Sequence, residues 1–359
     1  PPLPPSIGDP SAPSADDYRD QAIEVIRASA DLAVGESDID ISPGAFGDNS
    51  LGVDDGDGRA VNPVTDAGYE PNVVDAADYY RAIAEYWADG PTSETPPGHW
   101  NSLANEVSDR LAADERRLGG VGEPLDRLAW DVHLGVVLNG ALNDAAVTAW
   151  GTKAHFDTVR PITMIRWMSD NGPYDPIENP TGIPLEDGLV EVVTAASAAA
   201  GERHRHLVAH VGEIAVRAWR GSPDDPERQT AGVDWILGAD WVPYQRSTFV
   251  SPAFASYVSG HSTFSRAAAE VLAGVTGSEY FPGGLATHEV PFGSFLHEEG
   301  PSATFELQWA TYFDAADEAG RSRIWGGIHI EADDRVGRQL GSEVSAAALR
   351  RGFELFGRS

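Results

Sequence analysis

Apolar residues recur at three- and four-residue spacing along most of this chain, and the segments they define read as helices. From about residue 15 to 34, Tyr18, Ala22, Ile23, Val25, Ile26 and Leu32 share one face and leave acidic residues on the other. The pattern returns at about 74 to 88, 98 to 114 and 123 to 153. In the last of these, Leu125, Leu128, Val132, Val136, Ala141, Ala145 and Ala149 belong to a broad apolar stripe. Pro161 suits a first helical position and predicts a short helix to Met168. Further helices are predicted near 186 to 198, from His261 through Val275, at about 305 to 319 and at about 329 to 356. The interruptions are short. Four prolines break residues 170 to 190, Glu213 to Trp219 reads as a strand paired with Val233 to Leu237, and the Gly- and Pro-rich stretch 280 to 305 has room for a hairpin. Residues 1 to 14 read as an extended arm, and no linker divides the remainder. The expectation is therefore a single domain over 15–359, mainly α: a helical bundle, as two packed four-helix bundles, with short β-hairpin excursions.

Charge changes the picture of the surface. There are 56 acidic residues against 25 basic ones, a net charge of −31, on an otherwise ordinary globular composition. Such a field repels nucleic acid and anionic membrane, so neither is expected as a partner. Lys153 is the sole lysine, every other cation being arginine. GC-rich coding also favours arginine, but it does not explain the acidic excess, which points to adaptation to high salt. Cysteine is absent, which excludes disulfides and thiol chemistry. No apolar run of 18 residues occurs. The opening Pro-Pro-Leu-Pro-Pro suggests a trimmed form, with secretion or a prokaryotic cell envelope expected and the cytoplasm left open. Asp48, Asn49, Asp54, Asp55 and Asp57 lie among glycines, but their order does not fit an EF-hand, so a solvated acidic loop is expected there.

Three separated blocks carry chemistry. Lys153 precedes Arg160 by two helical turns, which would aim both to one side of a continuous helix. Ser259 and Gly260 open a predicted helix, where a hydroxyl and orphan N–H groups meet the positive end of the dipole. Arg323 adds a guanidinium fork suited to oxyanion oxygens. His261 stands at the helix start beside such an anion, in position for proton transfer. His329 and Asp333 are four apart, so the carboxylate can hold one ring nitrogen and leave the other as a nucleophile or metal ligand. His204, His206 and His210 read as a polar loop rather than a metal cluster, and His99 and His133 as capping or core groups.

The pattern Lys153, Arg160-Pro161, Ser259-Gly260-His261, Ser322-Arg323, His329, Asp333 resembles the vanadium-dependent haloperoxidases and their relatives, the type 2 phosphatidic acid phosphatases. Val258 departs from it, replacing the family's proline before Ser259. Asp144, Trp150 and Pro-Pro-Gly-His-Trp at 96–100 are similar to the haloperoxidase branch, as are the long gaps between blocks. The resemblance implies vanadate as cofactor, with phosphate able to occupy the same site. Lys153, Arg160, Ser259, Gly260 and Arg323 would hold its oxygens, His329 would bind the metal, and Asp333 would orient His329. His261 would be the acid–base group and Lys153 would polarise bound peroxide. The implied partners are hydrogen peroxide, a halide and a small organic acceptor, with a homo-oligomer left open. Phe254 matches a position that is Phe in chloride-oxidising members and often His in bromide-oxidising ones, so bromide is expected and chloride is the weaker expectation. In the phosphatase alternative His329 attacks phosphorus and His261 protonates the leaving group. A non-enzymatic oxyanion-binding protein is the second alternative. Met164 and Met168, just after Arg160, stand where an oxidant made at the site would be expected to find them.

Overall fold

The computed structural model describes residues 1–46, 58–88, 90 and 93–357, so the acidic loop 48–57 falls outside the described residues. In chain order the elements are α1 (Pro13–Ala30), β1 (Asp38–Asp40), β2 (Val73–Asp75), α2 (Ala76–Tyr86), α3 (Pro96–Arg110), α4 (Arg127–Phe156), α5 (Pro161–Asp170), β3 (Val190–Val192), β4 (Ile214–Trp219), β5 (Val233–Leu237), α6 (Gly260–Thr276), β6 (Ala286–Val290), β7 (Phe305–Trp309), α7 (Tyr312–Trp325) and α8 (Glu331–Leu355). Among the described residues the fold is a helical bundle with three small antiparallel sheets, β1-β2, β3-β4-β5 and β6-β7.

Helix α6 is the axis of the bundle and packs against α3, α4, α7 and α8. Its sequence explains why: Ala267, Ala268, Ala269, Val271 and Leu272 are all fully buried, so helices close in from several sides. Helix α8 approaches most closely because Gly337 faces the start of α6, where an added Cβ would lie 2.8 Å from the Ser259 carbonyl oxygen. Tryptophans fill the remaining space, with Trp100, Trp130 and Trp309 in the main core. A second apolar cluster joins α1, α5, β3 and β4, and it contains Met164 and Met168 at 2% and 0% exposure. Both methionines therefore lie in the core, out of reach of a diffusing oxidant, contrary to the expectation from their sequence position.

The helix starts are written locally. Asp75, Thr95, Asp126 and Ser259 each accept from a backbone N–H in the first turn of α2, α3, α4 and α6. Thr311 and Asp314 form a reciprocal capping box on α7. Two buried arginine networks tie elements together: Arg81 bridges Asp78 and Glu298, and Arg338 spans Asp317 and Asp334 at 2.6 and 2.7 Å.

Three predicted elements differ. Residues 186 to 198 form turns and strand β3 instead of a helix. Gly188 takes φ +80°, and Val190 and Val192 pair with β4, a tertiary partnership that overrides helical periodicity. Residues 305 to 309 are strand β7, with Phe305, Leu307 and Trp309 alternately buried at period two, so α7 starts only after Thr311. The Lys153 helix does not continue to Arg160: α4 ends at Phe156 and Asp157 adopts a left-handed φ of 46°. The strand pair Glu213–Trp219 with Val233–Leu237 is present as β4 and β5. His204, His206 and His210 lie in and beside a short 3₁₀ turn, and no group of three potential metal ligands occurs among the described residues. Among the described residues no helix is long and apolar enough to cross a membrane.

Because the net charge is −31, self-repulsion in the folded state is relieved by screening. The thermal midpoint should therefore rise from low to molar sodium chloride in a melting series. A flat or falling midpoint would contradict the salt-adapted reading of the surface.

Candidate active site

Four helix ends converge on one cavity. Lys153 lies in the last turn of α4, Arg160 is the residue before α5, Ser259 caps α6 with Gly260 as its first residue, and Arg323 lies in the last turn of α7. His329 sits in the link between α7 and α8, just before the N-cap residue Ile330. The left-handed turn at Asp157 replaces the continuous helix expected between Lys153 and Arg160, and it folds the second cation back toward the first. Likewise His329 and Asp333 meet across the entrance to α8 rather than along a helical face.

His329 is the most constrained group. Its Nδ1 lies 2.8 Å from Asp333 Oδ2, and its Nε2 lies 2.9 Å from Arg160 Nη1. Arginine can only donate, so Nε2 must carry the lone pair and the proton resides on Nδ1, facing the carboxylate. Asp333 is itself fixed by the Ser256 hydroxyl and the Ile330 N–H. Arg160 also donates to the Ile328 carbonyl at 2.7 Å and the Phe254 carbonyl at 3.0 Å, while its Nη2 is buried without a partner. Lys153 donates to the carbonyls of Ala255 and Ser256 at 2.9 and 2.8 Å, which leaves one of its three donors. Arg323 is 1% exposed and donates to the Ala84 carbonyl at 2.9 Å and to the Ser322 hydroxyl at 3.0 Å.

Burial dominates the electrostatics. It lowers Lys153 to about 7 and Arg160 to about 10, with the Arg160 charge adding to the effect on Lys153 and Asp333 opposing both. Burial likewise raises Asp333 to about 6, against the Ser256 hydrogen bond and the two cations. Both histidines are held well below the usual imidazole range, first by burial and then by the nearest guanidinium, Arg160 for His329 and Arg323 for His261. Both are neutral bases at neutral pH.

The cavity encloses about 390 Å³. Arg160, Gly260, His261, Arg323, His329 and Phe254 line it. Lys153, Ser259 and Asp333 stand behind this lining, buried at 0% to 2% exposure. Ser259 accepts from the Ser262 N–H and its own N–H donates to the Asp333 carbonyl, so it joins the start of α6 to α8. His99 stacks on Trp87 and His133 bonds the Ala129 carbonyl, so both have packing roles. Sequence reasoning missed Gln245, Phe249, Phe264 and Ser256. None has a spacing signal, since they reach the site through loop paths and the inner face of α6. Trp150, one of the residues similar to the haloperoxidase branch, lines the cavity at 42% exposure.

The chemistry of the donor set fits a tetrahedral oxyanion. An unpaired guanidinium nitrogen, a second guanidinium, the N-terminus of α6 and a neutral imidazole lone pair occur together, and among the described residues no carboxylate lines the cavity. A Cβ at Gly260 would come within 3.1 Å of the Trp150 ring, so glycine lets that ring pack directly against the first turn of α6. Orthovanadate or phosphate should raise the thermal midpoint, by about 2.7 kcal/mol of stabilisation at 100 times Kd. Arg160→Ala should remove most of that gain. Equal anion-induced shifts in parent and variant, measured by scanning calorimetry, would exclude Arg160 from the cradle.

A family model described as the VCPO second helical-bundle domain matches residues 133–358. Among solved structures, a holo-type bacterial vanadium-dependent chloroperoxidase is similar at 18% identity and TM-score 0.53, over 94% of this chain and 48% of that one. An apo-type bacterial vanadium-dependent chloroperoxidase is similar at 19% identity and TM-score 0.55, over 94% of this chain and 50% of that one. The chain thus spans about half the length of these proteins, and the likeness is one of fold. No curated protein sequence matches.

Proposed function

The chain belongs to the vanadium haloperoxidase family, and on that premise we propose that it is a vanadate-dependent haloperoxidase that uses hydrogen peroxide to oxidise a halide for transfer to an organic acceptor. In this reading residues 15–359 work as one catalytic domain and residues 1–14 as an arm. The observation that carries the reading is the state of His329. Its Nδ1–H is committed to Asp333 and its neutral Nε2 lone pair faces the cradle, as a metal ligand requires.

Bound vanadate would supply a Lewis acid that activates peroxide without itself changing oxidation state. Arg160, Arg323 and the N–H groups at the start of α6 would hold its oxygens, with Lys153 and Ser259 supporting from behind the lining. Because Lys153 is lowered to about 7, it can hold or release a proton near neutrality. His261, whose Nε2 is buried without a partner, is the neutral base that takes a proton from peroxide and returns one to the departing oxygen. Phosphate fits the same cradle as a competitor.

Bromide is the halide this reading favours, because it gives up electrons more readily than chloride. Phe254 is the residue placed to modulate the choice. Its ring centroid is 5.2 Å from Lys153 Nζ and 5.1 Å from Arg160 Cζ, so it shields both cations from water and strengthens their field at the site.

Two variants separate the histidine roles. His329→Ala should abolish vanadate retention and peroxide-dependent bromination together. His261→Ala should retain vanadate and lose at least about a hundredfold in turnover, the usual contribution of a positioned acid–base group. Stoichiometric vanadium and full turnover in His329→Ala, by metal analysis and a dye bromination assay, would refute the assignment.

A further inference from the structure

One loop of the active site also forms the wall of a second cavity. Gln245 and Phe249 line the active cavity, whereas Arg246, Ser247 and Thr248, between them in the chain, line the other. The second cavity holds about 300 Å³, room for a small ligand. We propose that it binds a small oxyanion through Arg246 and His297, and that the bound anion orders the loop it shares with the active cavity.

Arg246 sets the chemical class. Its side chain is half-buried and has no hydrogen-bond or ion-pair partner among the described residues. A guanidinium drawn partly out of water without a partner is costly, and an oxyanion satisfies it through the two parallel N–H groups of the fork. His297 lines the same cavity at 4% exposure, and its Nδ1 is buried without a hydrogen bond. The nearest acid, Glu85 Oε1, stands 3.7 Å from that nitrogen, too far to bond it. Burial, and then the charges of Arg246 and Arg323, hold His297 at about 4, so at neutral pH the ring is neutral and keeps one N–H to donate. The hydroxyls of Ser222, Ser247 and Thr248 also line the cavity and make no hydrogen bond among the described residues.

Asp224 is the one carboxylate in this lining among the described residues. It is exposed, where water and salt screen it, whereas Arg246 is drawn inside, so the cation dominates at short range. The floor is preformed. The Glu85 carboxylate accepts from the backbone N–H groups of Leu296 and His297 at 2.6 and 3.1 Å and from the Tyr244 hydroxyl at 2.9 Å. The loop is tied less firmly: Gln245 donates to the Gly326 carbonyl, but the next three side chains bond nothing among the described residues. An anion bridging Arg246 to His297 would fasten the loop to that floor, and with it the two residues that face the active cavity.

Sulfate is the probe, titrated calorimetrically at constant ionic strength into vanadate-treated parent, Arg246→Ala and Asp224→Asn proteins. Amide exchange of residues 244–250 is followed by mass spectrometry with and without sulfate. Vanadate keeps sulfate out of the cradle. The expected result is one saturable site, weakened at least about tenfold in Arg246→Ala and tightened in Asp224→Asn, with sulfate slowing exchange of the loop in the parent and not in Arg246→Ala. Absence of saturable binding, equal binding in Arg246→Ala, or binding that leaves loop exchange unchanged overturns the proposal. Two sulfate sites in the vanadate-treated parent, one of them lost in Arg246→Ala, would uphold the second site and count against vanadate as the occupant of the first.

Discussion

Two cations, Lys153 and Arg160, are held out of water mainly on backbone carbonyls, with Asp333 as the acid that offsets both. Buried charge without a full counter-charge is costly, and the fold bears that cost at one place only because several rigid elements enforce it. An oxyanion in the cavity would supply the missing negative charge. The lowered proton affinity of Lys153 and of Arg160, the neutral histidines and the raised affinity of Asp333 all follow from the same desolvation.

The architecture exists to bring helix ends together. Helix interiors present few free backbone groups, whereas each terminus offers orphan N–H or C=O groups to a ligand or a side chain. The start of α6 offers N–H groups that an anion in the cavity would accept from. The ends of α4 and α7 contribute Lys153 and Arg323, and the Ala84 carbonyl near the end of α2 steadies Arg323. Close approach of α8 at Gly337 sets Asp333 beside Ser259, which links the histidine support to the anion-binding turn. Aromatic residues then close the sides and leave an apolar space above a charged floor.

Much of this was legible in the sequence, for identifiable reasons. Amphipathic periodicity revealed the long helices, since α4, α6 and α8 bury continuous faces. The three polar blocks revealed the cradle because each sits at a helix boundary marked by local chemistry, such as Pro161 after Arg160 or Ser259 before Gly260. What was not legible depended on tertiary partners. Val190 and Val192 became a strand because β4 pairs with them, and Phe305 to Trp309 because β6 does. The left-handed Asp157 turn could not be foreseen from a helical pattern that ran up to it, although its outcome, Lys153 and Arg160 sharing one site, was. Ser256, Gln245 and Phe249 lie on loops without periodicity, so only the folded chain shows that they meet the site.

The most direct measurement is anomalous X-ray diffraction from crystals grown with orthovanadate. The expected result is one vanadium per chain within bonding distance of His329 Nε2, with the 2.9 Å Arg160–His329 hydrogen bond broken and Arg160 turned onto the anion. Vanadium bound elsewhere, or a fully loaded protein in which that hydrogen bond persists, would contradict the assignment of His329 as the metal ligand and of the cradle as its oxyanion site.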